Sequence, residues 1–531
     1  MKQKADLDVL IVGAGFAGLF MLHRMREAGF TAKIIEAGDG VGGTWYWNRY
    51  PGARCDVEST EYSYQFSDDL QQEWDWSERY ATQSELLRYV NHVTDRFDLR
   101  KDIQFGTRVT AAHFDDTANL WSVETDQDQK ITSRFCIMAT GCLSSANMPD
   151  IAGRDDFTGE VYHTGHWPHH DVDFTGKTVG IIGTGSSAIQ SIPLIAEQAG
   201  HLTVFQRTPS YAVPAHNRPL DDVYRKDVKA NYAARRAAAH ETRSGMLFPV
   251  NPENALDVSE DARLKIYDER WKNGGLAFLG AFNDLLTDKQ SNDTAADYIR
   301  EKISDIIDDP QLADQLTPST VVGCKRLCVD TGYYATYNRD NVTLVDVKAD
   351  PIDHITGTGI QTLKKTYAFD CLIFATGFDA MTGALMKIDI KGRQGLRLQD
   401  KWAEGPKTYL GLAMAEFPNL FIVTGPGSPS VLANMMPSIE QHVNWISECI
   451  GYMRDQNQVT IEAEPEAEAD WVSHVNETAG KTLFPTCNSW YLGANIPGKP
   501  RVFMPYLGYP AYVQKCNQVA VAGYDGFKLK A

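Results

Sequence analysis

Two glycine-rich hexapeptides carry the most legible chemistry in this 531-residue chain: Gly13-Ala14-Gly15-Phe16-Ala17-Gly18 and Gly183-Thr184-Gly185-Ser186-Ser187-Ala188. In such a run the first glycine permits a tight turn and the second lets the backbone approach a pyrophosphate. The third position needs only a small residue, so that a helix can pack against a strand. The helix N-terminus adds partial positive charge beside the phosphates. The two runs differ in the residues downstream of them. Glu36 stands 18 residues past Gly18, where an acid accepts hydrogen bonds from ribose hydroxyls and repels a 2′-phosphate. Gln206, Arg207 and Thr208 stand at the matching point after Ala188. A guanidinium beside a hydroxyl suits a 2′-phosphate, although a solvated surface arginine would read the same way. The economical assignment is FAD in the first cradle and NADPH in the second, as in a flavin enzyme that takes hydride from NADPH.

The elements that must position these cradles follow from apolar patterning. Leu7–Val12 reads as a strand, Phe16 to about Ala28 as a helix and Thr31–Ile35 as a second strand. The pattern recurs about 170 residues later, with Thr178–Ile182, a helix to about Ala199, and Leu202–Phe205. The fold class expected is α/β, with two Rossmann-like dinucleotide-binding domains. Segments Asp222–Arg243 and Asp293–Asp308 are charged and helix-favouring, which suggests a helical insertion. Strand patterns return at Val342–Val347, Gly359–Thr366 and Cys371–Ala375, and a helix is expected at Ser438–Met453. Ala139-Thr140-Gly141 and Ala375-Thr376-Gly377-Phe378-Asp379 each follow an apolar strand, as turns at crossings between two nucleotide domains often do, although either alone could be just a turn. The expected division gives 1–150 to the FAD-binding domain, 151–219 to the NADP-binding domain and 220–330 to the insertion. Residues 331–380 then return to the NADP-binding domain and 381–531 to the FAD-binding domain.

Composition excludes several classes. A net charge of -18, with 43% hydrophobic and 23% charged residues, describes an acidic globular protein. It argues against nucleic acid and anionic membrane as partners, so an anionic ligand needs a local basic pocket. Nine cysteines without a CxxC pair suggest neither a disulfide framework nor a zinc ribbon, so a reduced, cytoplasmic protein is expected. Lys2 and Lys4 before the apolar run Val9–Leu22 mimic a signal peptide, but Asp6 and Asp8 interrupt the pattern. Four of the 13 histidines, His163, His166, His169 and His170, crowd together. With only Asp171 and Asp173 nearby and no cysteine, no metal is expected there.

Phe157-Thr158-Gly159-Glu160-Val161-Tyr162-His163-Thr164-Gly165-His166-Trp167-Pro168 fits the pattern FxGxxxHxxxWP. With it the chain resembles the type I Baeyer–Villiger monooxygenases over essentially its whole length. Further matches are Gly42–Gly52, Lys325-Arg326, Ser489-Trp490, Gly425–Ser430, Gly493–Asn495 and Pro500–Met504. The last three are most similar to phenylacetone-oxidising members. Leu327–Tyr334 is closer to cyclohexanone-oxidising ones, and Gly508–Tyr512 replaces a more glycine-rich turn.

The resemblance implies that NADPH reduces FAD and that O2 adds to form a peroxyflavin. The adduct's terminal oxygen attacks a ketone, giving an ester or lactone. The nucleophile is an anion, which a cation that never sheds its proton serves better than an acid. Arg326 matches the family's active-site arginine and Asp56 the acid that orients it, although a simple buried ion pair is the alternative. Flavin contacts are implied for Ala17, Glu36, Thr44, Trp45, Tyr46, Trp47, Asp56, Tyr62, Val109 and Met435, with Gly13, Gly15, Gly18 and Gly43 in the cradle. Positions implied near NADP are Arg54, Cys55, Asp56, Gly183, Thr184, Gly185, Ser186, Ser187, Ala188, Ile189 and Gln190. Arg207, Thr208, Lys325 and Arg326 join them, and Trp490 closes over the nicotinamide side. His163 and Trp167 are expected to couple domain movement without touching substrate or flavin. Two other readings stay open at this point: an N- or S-oxygenating flavin monooxygenase, and a nucleotide-binding redox sensor or scaffold without catalysis.

Overall fold

The computed structural model describes residues 5–531, so Lys2 and Lys4 lie outside the described residues. Two sheets organise the chain. The first contains eight strands, in the order Asp389–Lys391, Val109–Asp115, Leu120–Thr125, Lys130–Met138, Leu7–Val12, Ala32–Ile35 and Ile103–Gln104. Its eighth strand, Leu420–Ile422, also pairs with Lys130–Met138, Leu420 lying opposite Cys136. The second sheet is wholly parallel and runs Val342–Asp346, His201–Gln206, Thr178–Ile182, Cys371–Phe374 and Glu160–His163.

The opening strand shows why the pattern is so readable. Val9 and Ile11 face the helix layer while Leu10 and Val12 face the strands that pair around residues 109–138. A central parallel strand is covered on both sides and therefore reads as a continuous apolar run. Helix Phe16–Glu27 packs against helix Met435–Asp455, which joins two segments about 400 residues apart. In the second sheet Val179 and Ile181 lie beneath helix Ser186–Gln198, whose Ile189, Ile192 and Ile195 are wholly buried.

Helices Asp222–His240, Glu260–Asn273, Lys289–Ile306 and Pro310–Leu316 dominate residues 222–316, and each begins on a side-chain cap. Asp221, Ser259 and Asp288 accept from the backbone N–H three residues on, and Asp309 from that two residues on. These helices bridge the two sheets. Buried Arg236 donates to Ser63 Oγ at 2.7 Å and to Glu61 O at 3.1 Å on the first-sheet side. Tyr267, Phe278, Phe282 and Tyr298 share the apolar cluster of the second sheet. One expected strand divides: Gly359–Thr366 becomes a hairpin of Gly359–Thr362 and Thr366–Ala368. Thr362 N donates to Lys365 O at 2.9 Å across exposed Leu363, so the turn closes on itself.

Wholly buried His442 fastens the long helix Met435–Asp455. Its Nδ1 accepts from Thr424 N at 2.9 Å, so Nε2 carries the hydrogen and donates to Tyr512 Oη, also 2.9 Å away. Burial pushes its pKa down to about 3. A folded-state pKa depressed this far holds the ring neutral, and the associated stability is lost as pH falls from about 6.5 toward that value. The melting-temperature advantage of wild type over His442→Gln should therefore shrink steadily between pH 7 and pH 4. A gap independent of pH would exclude this contribution.

Candidate active site

Both cradles are built where a strand ends and a helix begins. Gly13 sits at φ +105°, and a Cβ there would lie 2.7 Å from Ala139 O. A Cβ on Gly18 would lie 1.9 Å from Gly13 O, so this glycine sets how closely helix and strand approach. Gly18→Ala should therefore lower both melting temperature and flavin content of the purified protein, since the obstruction is backbone. Wild-type flavin absorbance in that variant would refute the packing role. In the second cradle Gly183 sits at φ +115° against Ala375 O, while Gly185 opens to empty space. That is the geometry a phosphate needs at a helix start.

A cavity of about 740 Å³ runs from the first cradle to the helix of the second. Gly13, Gly15, Ala17 and Glu36 line one end, and Gly43, Thr44, Trp45 and Trp47 form a wall beside it. Val109, Tyr62 and Met435 close the sides. Arg54, Cys55, Asp56 and Arg326 stand at the other end with Trp490, facing Ser186 and Gln190 of the second cradle's helix. The volume suits a large organic ligand, and glycine backbone faces it at the strand–helix turn, so the residues fit FAD. Burial raises the Glu36 pKa, while N–H groups of Ala14 at 2.6 Å and Gly38 at 2.7 Å oppose that rise.

Not every expected residue faces this space. Tyr46 turns away: its ring lies under Gly38 and Gly40 and its hydroxyl binds Asp39. Ala188 and Ile189 are wholly buried in the second sheet's core, where they pack the helix rather than meet a ligand. Thr184 is also buried, its hydroxyl donating to Thr208 O at 3.0 Å, and Ser187 Oγ lies 3.2 Å from Thr164 Oγ1. Gly183, Gly185, Arg207, Thr208 and Lys325 belong to the second cradle outside the cavity, with Arg207 exposed at the strand end. Burial lowers the Lys325 pKa, and so do the neighbouring positive charges of Arg207 and Lys348. Gathering like charges in a protein of net charge -18 makes this the anion-seeking spot, and it fits a phosphate beyond the second cradle. Lys348 carries no motif, which is why the sequence did not reveal it.

Arg326 and Asp56 meet from 270 positions apart. The contact is two-pronged: Nε donates to Oδ2 at 2.9 Å and Nη2 to Oδ1 at 2.6 Å. Nη1 donates to Val431 O at 3.0 Å, an anchor no side-chain pattern could announce. Burial alone would lower the Arg326 pKa, but the charge and hydrogen bonds of Asp56 outweigh it and raise the value above the ordinary one. Gln190 ties the second helix to this site, donating to Arg54 O at 3.1 Å and accepting from Tyr50 Oη at 2.8 Å.

The histidine-rich segment plays another part. His163 Nδ1 accepts from Gly165 N at 2.9 Å, and Nε2 lies 3.3 Å from both Asn147 O and Thr376 Oγ1. It thereby links the two segments that cross between the sheets. Trp167 stacks on Tyr162 in the second sheet's core. His166 and His169 lie edge-on to Trp47 and Tyr46, respectively. The expectation of unpaired cysteines needs one correction: Cys324 and Cys487, 163 positions apart, are joined as a disulfide. The other seven stay free and buried. Long separation and the lack of a CxxC spacing hid the pair.

A family model described as pyridine nucleotide-disulphide oxidoreductase matches residues 10–244. The chain is similar to a Baeyer–Villiger monooxygenase of Pseudooceanicola batsensis, 42% identical over 525 residues, 98% of this chain and 96% of that one. It is also similar to a phenazine N-monooxygenase of Lysobacter antibioticus, 40% identical over 533 residues, covering 99% and 98% of the two chains. A solved structure titled as oxidised steroid monooxygenase bound to NADP superposes with a TM-score of 0.94 at 53% identity, covering 99% of each chain.

Proposed function

The chain belongs to the type I Baeyer–Villiger monooxygenases, and on that premise we propose that it converts ketones to esters or lactones beside the Arg326–Asp56 pair. NADPH and O2 are consumed and FAD is the resident cofactor. Bound FAD, once reduced, supplies the electrons that let one atom of O2 enter the substrate. The observation that carries the reading is the two-pronged Arg326–Asp56 contact at the point where the first cradle's cavity meets the second cradle's helix.

The residues then divide the work. Three N–H donors of Arg326 are held by Asp56 and Val431, which fixes the guanidinium on the cavity wall. A guanidinium fixed in place and permanently protonated stabilises negative charge on oxygen without reorganising. Cys142, Leu143, Val431, Ala433 and Met435 supply the apolar surround near it, which suits a ketone and strengthens the charge interaction by excluding water. Gly13 through Gly18 and Glu36 hold the adenosine and pyrophosphate of FAD. Gly183, Gly185, Ser186 and Gln190 hold NADPH, with Arg207, Thr208 and Lys325 on its 2′-phosphate and Trp490 over the nicotinamide side.

The proposed domain division is supported by the sheets. The first draws its strands from residues 7–138 and 389–422, and the second from residues 160–374. A cytoplasmic setting also belongs to the proposal, supported by seven free cysteines. Among the described residues no helix is long and apolar enough to cross a membrane.

The test gives holoenzyme, NADPH and air to a panel of cyclic, aryl and linear ketones and identifies products by mass spectrometry. Oxygen inserted beside a carbonyl is the expected result. The similarity to a phenazine N-monooxygenase makes N-oxygenation the second reading. Amines or N-heterocycles oxygenated while every ketone is returned unchanged would establish it instead.

A further inference from the structure

The segment between Cys487 and Lys499 is fastened at both ends, and its middle carries Trp490 on the cavity wall. At the first end the disulfide joins Cys487 to Cys324, the residue immediately before Lys325 and Arg326. At the far end Lys499 Nζ binds Asp379 Oδ1 at 2.5 Å and Ala380 O at 2.8 Å, and Asn495 Nδ2 donates to Phe378 O at 2.7 Å. The far end thus rests on the crossing segment that His163 also grips. Between them the turn Trp490–Leu492 is closed by Leu492 N to Ser489 O and Gly493 N to Trp490 O, both 3.0 Å.

The two fastenings differ in kind. The ion pair holds under any redox condition, whereas the disulfide opens when two electrons arrive. Cys324 is buried, but Cys487 is partly exposed and flanked by exposed Thr486 and Asn488, so a small thiol can reach the bond from that side. Around this end Cys487 N donates to Phe484 O at 3.3 Å and Ser489 N to Cys487 O at 3.0 Å, while Met504 N donates to Tyr491 O at 3.0 Å, so the disulfide adds a covalent tie to a small set of hydrogen bonds. Ser489 Oγ is buried without a partner, so side-chain bonding does not replace the covalent tie.

Resting on the functional reading above, we propose that Cys324 and Cys487 are positioning residues whose reversible disulfide tethers the Trp490 segment over the cavity beside Arg326. The tether thereby sets NADPH affinity and the coupling of NADPH oxidation to substrate oxygenation. Opening it takes two electrons and two protons from an external dithiol, which leaves as its own disulfide while Cys324 and Cys487 become thiols. A low-molecular-weight disulfide such as oxidised glutathione takes them back. Once the tether opens, the closed arrangement must be selected from a larger set, and apparent affinity falls by the fraction that remains closed.

The experiment uses purified holoenzyme as wild type, Cys487→Ser and Cys324→Ser/Cys487→Ser. Thiol titration of unfolded wild type without reductant should find seven thiols, and nine would overturn the proposal. Dithiothreitol followed by desalting should raise the wild-type KM for NADPH about three- to tenfold. It should also divert more NADPH to hydrogen peroxide while leaving kcat for flavin reduction nearly unchanged. Both serine variants should show these values from the start and ignore dithiothreitol. Wild type indifferent to reduction, or serine variants that still respond, would overturn the tether. Ester formation at saturating NADPH tests the functional reading separately: if no form of the enzyme makes ester yet NADPH affinity follows the thiol state, the tether stands and that reading falls.

Discussion

Replacing Arg326 by alanine should leave NADPH able to bleach the flavin while ester formation falls about 10²–10³-fold. The asymmetry follows from geometry. Arg326 is held by Asp56 and Val431 and faces the cavity, so its charge acts on oxygen that becomes negative there. Hydride delivery, in the proposed reaction, depends instead on the second cradle. The NADPH that is still oxidised should appear as hydrogen peroxide, measured with peroxidase beside ester yield. Lysine is a poor substitute, since a single ammonium cannot span both carboxylate oxygens and reach Val431 as well. Asp56→Asn should reproduce much of the defect, because it leaves a buried guanidinium without its counter-charge. Ester made by Arg326→Ala at the wild-type rate would remove the arginine from the chemistry and reopen the N-oxygenating reading.

The second large effect concerns which nicotinamide cofactor is chosen. Arg207→Ala combined with Lys325→Ala should lower the preference for NADPH over NADH by about 10- to 100-fold, as expected for losing hydrogen bonds from charged donors to a phosphate. Nearly all of the change should lie in the KM for NADPH. An equal loss with both cofactors would show that these cations do not read the 2′-phosphate. A pH effect accompanies it. Burial and the charges of Arg207 and Lys348 lower the Lys325 pKa, so its proton is lost earlier than an ordinary lysine's as pH rises. The kcat/KM for NADPH, which reports free enzyme, should fall on the alkaline side sooner in wild type than in Lys325→Arg.

How far the residues alone could reach depended on distance along the chain. The βαβ units were legible because turn, strand and helix are set by neighbours. Thr178–Ile182 was read with its observed bounds, and helix Phe16–Glu27 to within a residue. The partners of remotely paired strands were not, even where the strand itself was read, as at Val342–Asp346 and Cys371–Phe374. Nothing local says that Asp389 will lie opposite Ala111 or Leu420 opposite Cys136. Asp56 was tied to Arg326 through family resemblance alone, since no spacing rule relates residues 270 apart. Tyr46 shows the opposite failure: it belongs to the matching motif, yet its ring supports the loop at Gly38 and Gly40 from behind. The Val431 carbonyl escaped because backbone groups carry no residue signature.

The place of Leu420–Ile422 beside Cys136–Met138 also governs how the protein is made. A ribosome adds about 5–20 residues each second, so the nascent first sheet waits on the order of tens of seconds for this partner. Throughout that wait an apolar strand edge that ends wholly buried stands open to any neighbouring chain, a known invitation to aggregate. Soluble yield should consequently respond to chaperone supply and growth temperature, and chains truncated anywhere between the two strands should collect in inclusion bodies.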